Sequence, residues 1–217
     1  MQTKNFKYYS QLGMVFVGLL LTANVLGPKP LLLGKFIVPA GSVIFPMTYL
    51  VGVIITEVYG FIASRTVIWM ALICNLFMAF ALKIAIFLPY TPEWPGQDAY
   101  SAVLGTSSRL MVVSVFTYFI GELLNAYVVS SLKIKLKGRL FFIRGLCGNW
   151  LGEGLETCLF IPLAFYDLLS VPSILQMILS YWAFKVSYAF ISMPLISVIV
   201  AKLKEKEGLQ DVLSFAT

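Results

Sequence analysis

The sequence predicts an all-α membrane protein, a bundle of about six transmembrane helices in one domain spanning residues 1–217. Hydrophobic residues make up 59% of the chain and charged residues 12%, with mean hydropathy +0.89, too apolar for a surface that faces water. Apolar runs recur at lengths suited to a bilayer core, which takes about 20 residues per helix. Lysine and arginine collect between and beside those runs, where topology signals belong.

The first run, 11–26, follows Lys4 and Lys7 and has the outline of a secretory signal. No small-x-small cleavage pattern precedes Gly27, Pro28 and Pro30, and further spans follow, so a retained helix is expected. The second span, 36–59, is interrupted by Pro39, Gly41 and Pro46, and the third is 66–88. A loop rich in proline, glycine and polar residues separates it from the fourth, 109–132. The fifth is 145–168, and the sixth, 171–201, is long enough to tilt or to continue past the membrane.

Six spans put both termini on one side. That side collects Lys4, Lys7, Arg65, Lys133, Lys135, Lys137, Arg139, Arg144, Lys202, Lys204 and Lys206, and the other holds few basic residues, so both termini are expected in the cytoplasm. The net charge of +6 therefore reads as orientation, with no nucleic-acid partner implied. Cys74, Cys147 and Cys158 lie in apolar stretches without a CxxC pair, and histidine is absent. Disulfide frameworks, imidazole metal sites and histidine proton relays are excluded, and no metal or cofactor is expected.

Charge inside a bilayer costs at least ~2.5 kcal/mol per residue, so each such group needs a partner, a water path or a task. The mid-span polar residues are Asn24 in the first helix, Glu122 and Asn125 in the fourth, Asn149, Glu153 and Glu156 in the fifth, and Lys185 in the sixth; Glu57 and Arg65 lie nearer a helix end. Spacings of three, four and seven put Asn149, Glu153 and Glu156 on one helix face and Glu122 with Asn125 on another, both expected to face the interior. Simple structural pairing is open to Lys185 with one glutamate and to the asparagines as interhelical glue. Three glutamates against one lysine exceed that explanation and mark a solute site.

The helix breakers point the same way. Cutting the chain after the third span gives two inverted halves. The middle helix of each carries interruptions, Pro39, Gly41 and Pro46 in one and Gly148, Gly152, Gly154 and Pro162 in the other. Such unwound helices hold the solute in many transporters.

The stretch from Thr22 to Trp69, TANVLGPKPLLLGKFIVPAGSVIFPMTYLVGVIITEVYGFIASRTVIW, resembles the queuosine precursor transporter family of six-helix inner-membrane proteins. The likeness continues through Tyr100, Leu104 and Gly105, Arg109, IGELLNAYVVSSLK and RGLCGNWLGEGLETCLFIPLAF, so it covers most of the chain. The resemblance implies import of 7-deazaguanines (the nitrile or aminomethyl precursor, or queuine) for tRNA modification. It also implies a shape similar to substrate-binding subunits of energy-coupling-factor importers, without an attached ATPase, and no Walker motif occurs here. Among binding residues it implies Asn24, Glu57, Tyr59, Arg109, Glu122, Asn125, Arg144, Asn149, Glu153 and Glu156. The chain departs from the family at Val53, where aspartate is usual, and at Glu122, where glutamine is usual. Its fifth-helix pattern of Gly148, Asn149, Glu153, Glu156 and Thr157 is also more acidic than the family's.

A guanine-like ring presents two adjacent donors that one carboxylate accepts bidentately, and a carbonyl that needs an amide donor. Glu156 or Glu153 with Asn149 suits that edge, and Trp150 or Phe160 offers a stacking face, although a core or lipid-facing place suits those rings better. Two other readings compete. One is a capture subunit needing a separate energising module. The other is an intramembrane enzyme using Glu153 and Glu156 as acid and base, against which stands the lack of histidine and of a GxSxG elbow.

Overall fold

The computed structural model describes residues 6–27, 29–33, 36–105, 107–165 and 170–209. Helix α1 (Tyr9–Leu26) leads into an antiparallel hairpin, β1 (Pro30–Leu33) and β2 (Phe36–Pro39), in which Pro30 stands opposite Pro39 and Leu33 opposite Phe36. A 3-10 turn (Ala40–Val43) then enters α2 (Phe45–Tyr59), followed by α3 (Phe61–Phe87), α4 (Gln97–Gly105), α5 (Ser107–Lys135), α6 (Phe141–Phe165) and α7 (Val171–Lys206). Pro46 sits in the first turn of α2, where a missing N–H costs nothing. Gly60, at φ 88°, ends α2 and starts α3, a backbone conformation that a side chain would strain.

Helix α2 is the centre of the bundle. All of its residues are buried except Met47 and Val51, and α1, α3, α5, α6 and α7 all pack against it. The helices around it turn apolar side chains outward, as lipid requires: Phe77 and Phe87 on α3 and Ile191 on α7 are 71%, 77% and 77% exposed.

The structure corrects several expectations. Among the described residues five helical segments are long and apolar enough to cross a membrane: Tyr9–Leu26, Ala40–Tyr59, Phe61–Phe87, Val112–Lys135 and Val171–Lys206. The expected fifth span forms a helix, α6, but is not among them, because Asn149, Glu153, Glu156 and its glycines lower its hydropathy. The loop before the fourth span contains α4. The interruptions of the second span lie at its start, Pro39 in the hairpin, Gly41 in the 3-10 turn and Pro46 in the first turn of α2, and α6 runs unbroken through its glycines and Pro162.

The glycines of α6 serve close approach. A Cβ at Gly152 would lie 2.7 Å from the Gly121 carbonyl oxygen and 2.8 Å from Asn125 Cβ. One at Gly121 would lie 2.7 Å from both Glu156 Cβ and the Gly152 oxygen. Small residues let the backbones of α5 and α6 come together, the usual basis of helix association in lipid. Gly41 plays the same part beneath the carbonyl of Ala23 at the end of α1.

Because the obstacle is backbone, which cannot swing aside, Gly121→Ala and Gly152→Ala are each expected to cost about 1–3 kcal/mol. Gly18→Ala, with nothing within 4 Å, is expected to be neutral. Thermal unfolding of the three purified variants in detergent checks this, and an unshifted Gly152→Ala midpoint would contradict the packing.

Candidate functional site

Polar side chains gather at two levels. The inner cluster joins Glu122 and Asn125 of α5, Asn149, Glu153, Glu156 and Thr157 of α6, Lys185 and Tyr181 of α7, and Tyr49 of α2, all buried. The bare face of Gly52 on α2 receives the Glu122 carboxylate, since any Cβ there would overlap Oε1.

One part of this cluster is satisfied within the protein. The Lys185 ammonium donates to the Glu156 carboxylate and, at 3.2 Å, to Thr157 Oγ1. It also lies 4.9 Å from the Phe45 ring centre and 4.5 Å from that of Tyr181, whose hydroxyl accepts from Ser42 at 3.1 Å. Cation–π contact with two rings suits a desolvated ammonium. The pairing that the sequence left open for Lys185 is therefore realised, and it uses Glu156.

The other part is not. Both carboxylate oxygens of Glu153, Oε2 of Glu122, the amide N and O of Asn149, Oδ1 of Asn125 and the Tyr49 hydroxyl find no hydrogen-bond partner among the described residues. The one internal tie is Asn125 Nδ2 donating to Glu122 Oε1 at 3.3 Å. Buried polar groups are normally paired, since each unpaired one costs about 1–3 kcal/mol. A set of them on facing helices leaves hydrogen-bonding capacity that no described residue uses.

The second cluster lies at the helix ends. Glu57, fully buried, accepts from both terminal nitrogens of Arg144, with Nη2 to Oε1 at 3.2 Å, and from Lys204 at 2.7 Å. Arg144 also donates to the carbonyls of Arg139 and Gly138 at 2.9 and 2.8 Å. Lys133 Nζ donates to the Glu57 carbonyl at 2.6 Å, as a cation at a helix C-terminus should, and lies 3.9 Å from the carboxylate. Glu207 accepts from the backbone N–H of Lys7 and Tyr8 at 3.0 and 2.8 Å and from the Tyr59 hydroxyl at 2.9 Å. The beginning of α1 and the end of α7 are thereby joined. A cavity of about 770 Å³ opens beside this cluster, lined by Arg144, Lys204, Glu205, Phe141 and Phe142 among others.

Of the residues singled out in the sequence, the structure brings Glu122, Asn125, Asn149, Glu153 and Glu156 together. It sets Glu57, Tyr59 and Arg144 apart from them; Arg144 precedes Glu153 by nine residues on α6, about 14 Å along the axis. Asn24 donates to Asn75 at 3.0 Å and accepts from Ser114 at 3.5 Å, between α1, α3 and α5. The side chain of Arg109 lies outside the described residues. Lys133, read from the sequence only as one of the basic residues that set orientation, also ties α5 to α2. Trp150 is 49% exposed beside Trp182, and Phe160 packs on Ile161, Ile174 and Tyr181, so the rings nearest the inner cluster are Tyr49, Phe45 and Tyr181. Tyr49, Gly52 and Thr56 were legible as one face of α2 by their spacing; Lys204 and Glu207 carried no signal beyond topology.

A family model described as "Putative vitamin uptake transporter" (Vut_1) matches residues 39–199, which include the whole inner cluster. A relative in Bacillus subtilis (strain 168), named "Probable queuosine precursor transporter", is 22% identical over 193 residues, covering 87% of this chain and 84% of the relative. No solved structure matches the chain.

Removing one partner of a buried ion pair leaves the other charge uncompensated, at a cost of about 3–5 kcal/mol. Glu57→Gln is expected to destabilise the protein on that scale, and Lys204→Met less, since the Lys204 side chain is 19% exposed. Thermal unfolding in detergent measures both. Equal, small shifts would show that the Glu57–Arg144 pair contributes no more than its exposed neighbour.

Proposed function

We propose that this chain, which belongs to the vitamin uptake transporter family, imports 7-deazaguanine precursors of queuosine and binds them at the inner cluster. It is a multi-pass membrane transporter of a small-molecule substrate. The observation that carries the narrower reading is the set of buried, unpartnered acceptors and donors at Glu122, Asn125, Asn149 and Glu153. The name of the Bacillus subtilis relative supports the choice of substrate.

In this reading the Glu153 carboxylate accepts from the ring N–H and exocyclic amine of the deazaguanine, and the Asn149 amide donates to its carbonyl. Glu156, the first choice for the ring edge on sequence grounds, is held by Lys185, so that part passes to Glu153. Glu122, steadied by Asn125, takes the aminomethyl cation of ligands that carry one. Tyr49 supplies a flat face and a hydroxyl.

The chain crosses the inner membrane six times in this proposal. Contact between Lys7, Tyr8 and Glu207 supports an even number of crossings, and α6, 25 residues long and about 37 Å, is the candidate for the sixth with its polar stripe turned inward. The basic loops place the termini in the cytoplasm.

Losing one charge-assisted hydrogen bond is worth about 1.5–3 kcal/mol, or about 10- to 100-fold in affinity. Uptake of all the 7-deazaguanines is expected to fall on that scale in Glu153→Gln. In Glu122→Gln, uptake of the aminomethyl compounds is expected to fall more than that of the nitrile. Measured uptake of labelled compounds at matched membrane levels decides, and unchanged transport by Glu153→Gln would return the stripe to a purely structural part.

For topology, membrane-impermeant thiol reagents applied from outside to a cysteine-free background are expected to modify a cysteine placed at Gln97 and to spare one at Lys135. The reverse labelling would invert the orientation.

A further inference from the structure

Charge does not balance in the inner cluster. Glu122, Glu153 and Glu156 face a single cation among the described residues, Lys185, and that ammonium is committed to Glu156 and Thr157. Glu122 and Glu153 stand on α5 and α6, the two helices that glycines bring into closest approach, and each repels the other. The titratable groups facing them are Tyr49 from α2, Tyr118 from α5, Glu156 from α6, and Lys185 and Tyr181 from α7. No free cation is among these.

Lys185 acts through space on Glu153 as well as on Glu156, yet three ionised carboxylates around one ammonium in a buried site pay desolvation and mutual repulsion that a single cation does not offset. Such groups share a proton and titrate as a unit. Oδ1 of Asn125 and the Asn149 amide, both fully buried, also find no hydrogen-bond partner among the described residues.

We propose that Glu122 and Glu153 form a proton-binding pair, and that its proton is exchanged for the cation of an aminomethyl-bearing substrate. This rests on the substrate reading above. A carboxyl O–H gives its proton to water, and the ligand ammonium takes its place as N–H donor to the carboxylate; no bond to carbon changes. A neutral nitrile brings no cation and leaves the proton where it is. The pair thus makes the carrier exchange a proton for a cationic deazaguanine and retain the proton with an uncharged one.

The sign of the pH effect follows. Proton and ammonium compete at Glu122, so as the pH is lowered affinity for the aminomethyl compound falls more than that for the nitrile.

The test uses the purified full chain in detergent. Titration with the aminomethyl compound in weakly buffered solution containing a pH indicator is expected to release up to about one proton per ligand bound, and titration with the nitrile none. Glu122→Gln is expected to abolish the release. Without any ligand, the infrared carbonyl stretch of a protonated carboxyl is expected in the wild-type protein and diminished in Glu153→Gln and Glu122→Gln. Binding of both compounds with no proton release, or binding that requires sodium, would overturn the pair while leaving the substrate reading intact. Failure of both compounds to bind, with the infrared band present, would overturn the substrate reading and keep the proton site; absence of the band overturns the proton site in either case.

Discussion

A bilayer offers no water to a carboxylate, so an ionised group held below the headgroups must find its counter-charge on another helix. That constraint organises this protein. Glu57 meets it with Arg144 and Lys204 around its carboxylate, and with Lys133 on its carbonyl, which draws α5, α6 and α7 to the end of α2. Glu156 meets it with Lys185, which joins α6 to α7. The connections between helices at both levels are consequences of charges that had to be paired.

Against that background Glu122 and Glu153 are the departure. They sit where α5 and α6 are pressed together by Gly121, Gly148 and Gly152, and where α2 presents Gly52 and Tyr49. Absence of side chains at Gly52, Gly121, Gly148 and Gly152 lets three helices approach, with acceptors and amides packed among them. In the proposed reading this construction serves transport, because unpartnered groups in a dry interior bind strongly to a complementary polar edge. The same construction explains why α6 has too low a hydropathy to read as a span while still packing at the heart of the bundle.

Much of this was legible in the chain. The apolar runs located the long helices to within about five residues except at the start of the second, expected at 36 and found at Phe45, and the spacing of Asn149, Glu153 and Glu156 placed them on one face that the structure buries. Reading Gly148, Gly152 and Gly154 as sites of unwinding was mistaken. Glycine is permissive both of a broken helix and of a close contact, and only the neighbour across the interface distinguishes the two. Lys133 was read only in part for a related reason: a lysine near a helix end serves topology or caps a neighbour according to what stands beside it, and Glu57 is 76 residues away.

The sequence by itself determined the solvent of this protein and the faces of its helices. Hydropathy and periodicity depend only on residues near one another along the chain, and the local backbone carries them directly into structure. Tertiary structure alone decided which of the three glutamates is neutralised. Lys185 lies 29 residues from Glu156, and on spacing alone it had equal access to Glu153. Helix packing brought its ammonium to Glu156 and Thr157, between the rings of Phe45 and Tyr181, and so left Glu122 and Glu153 without an ion-pair hydrogen bond among the described residues. Pairing of charges across helices is set by distances that only the folded bundle defines, since Coulomb energy in a low-dielectric interior depends steeply on which groups come within a few ångströms.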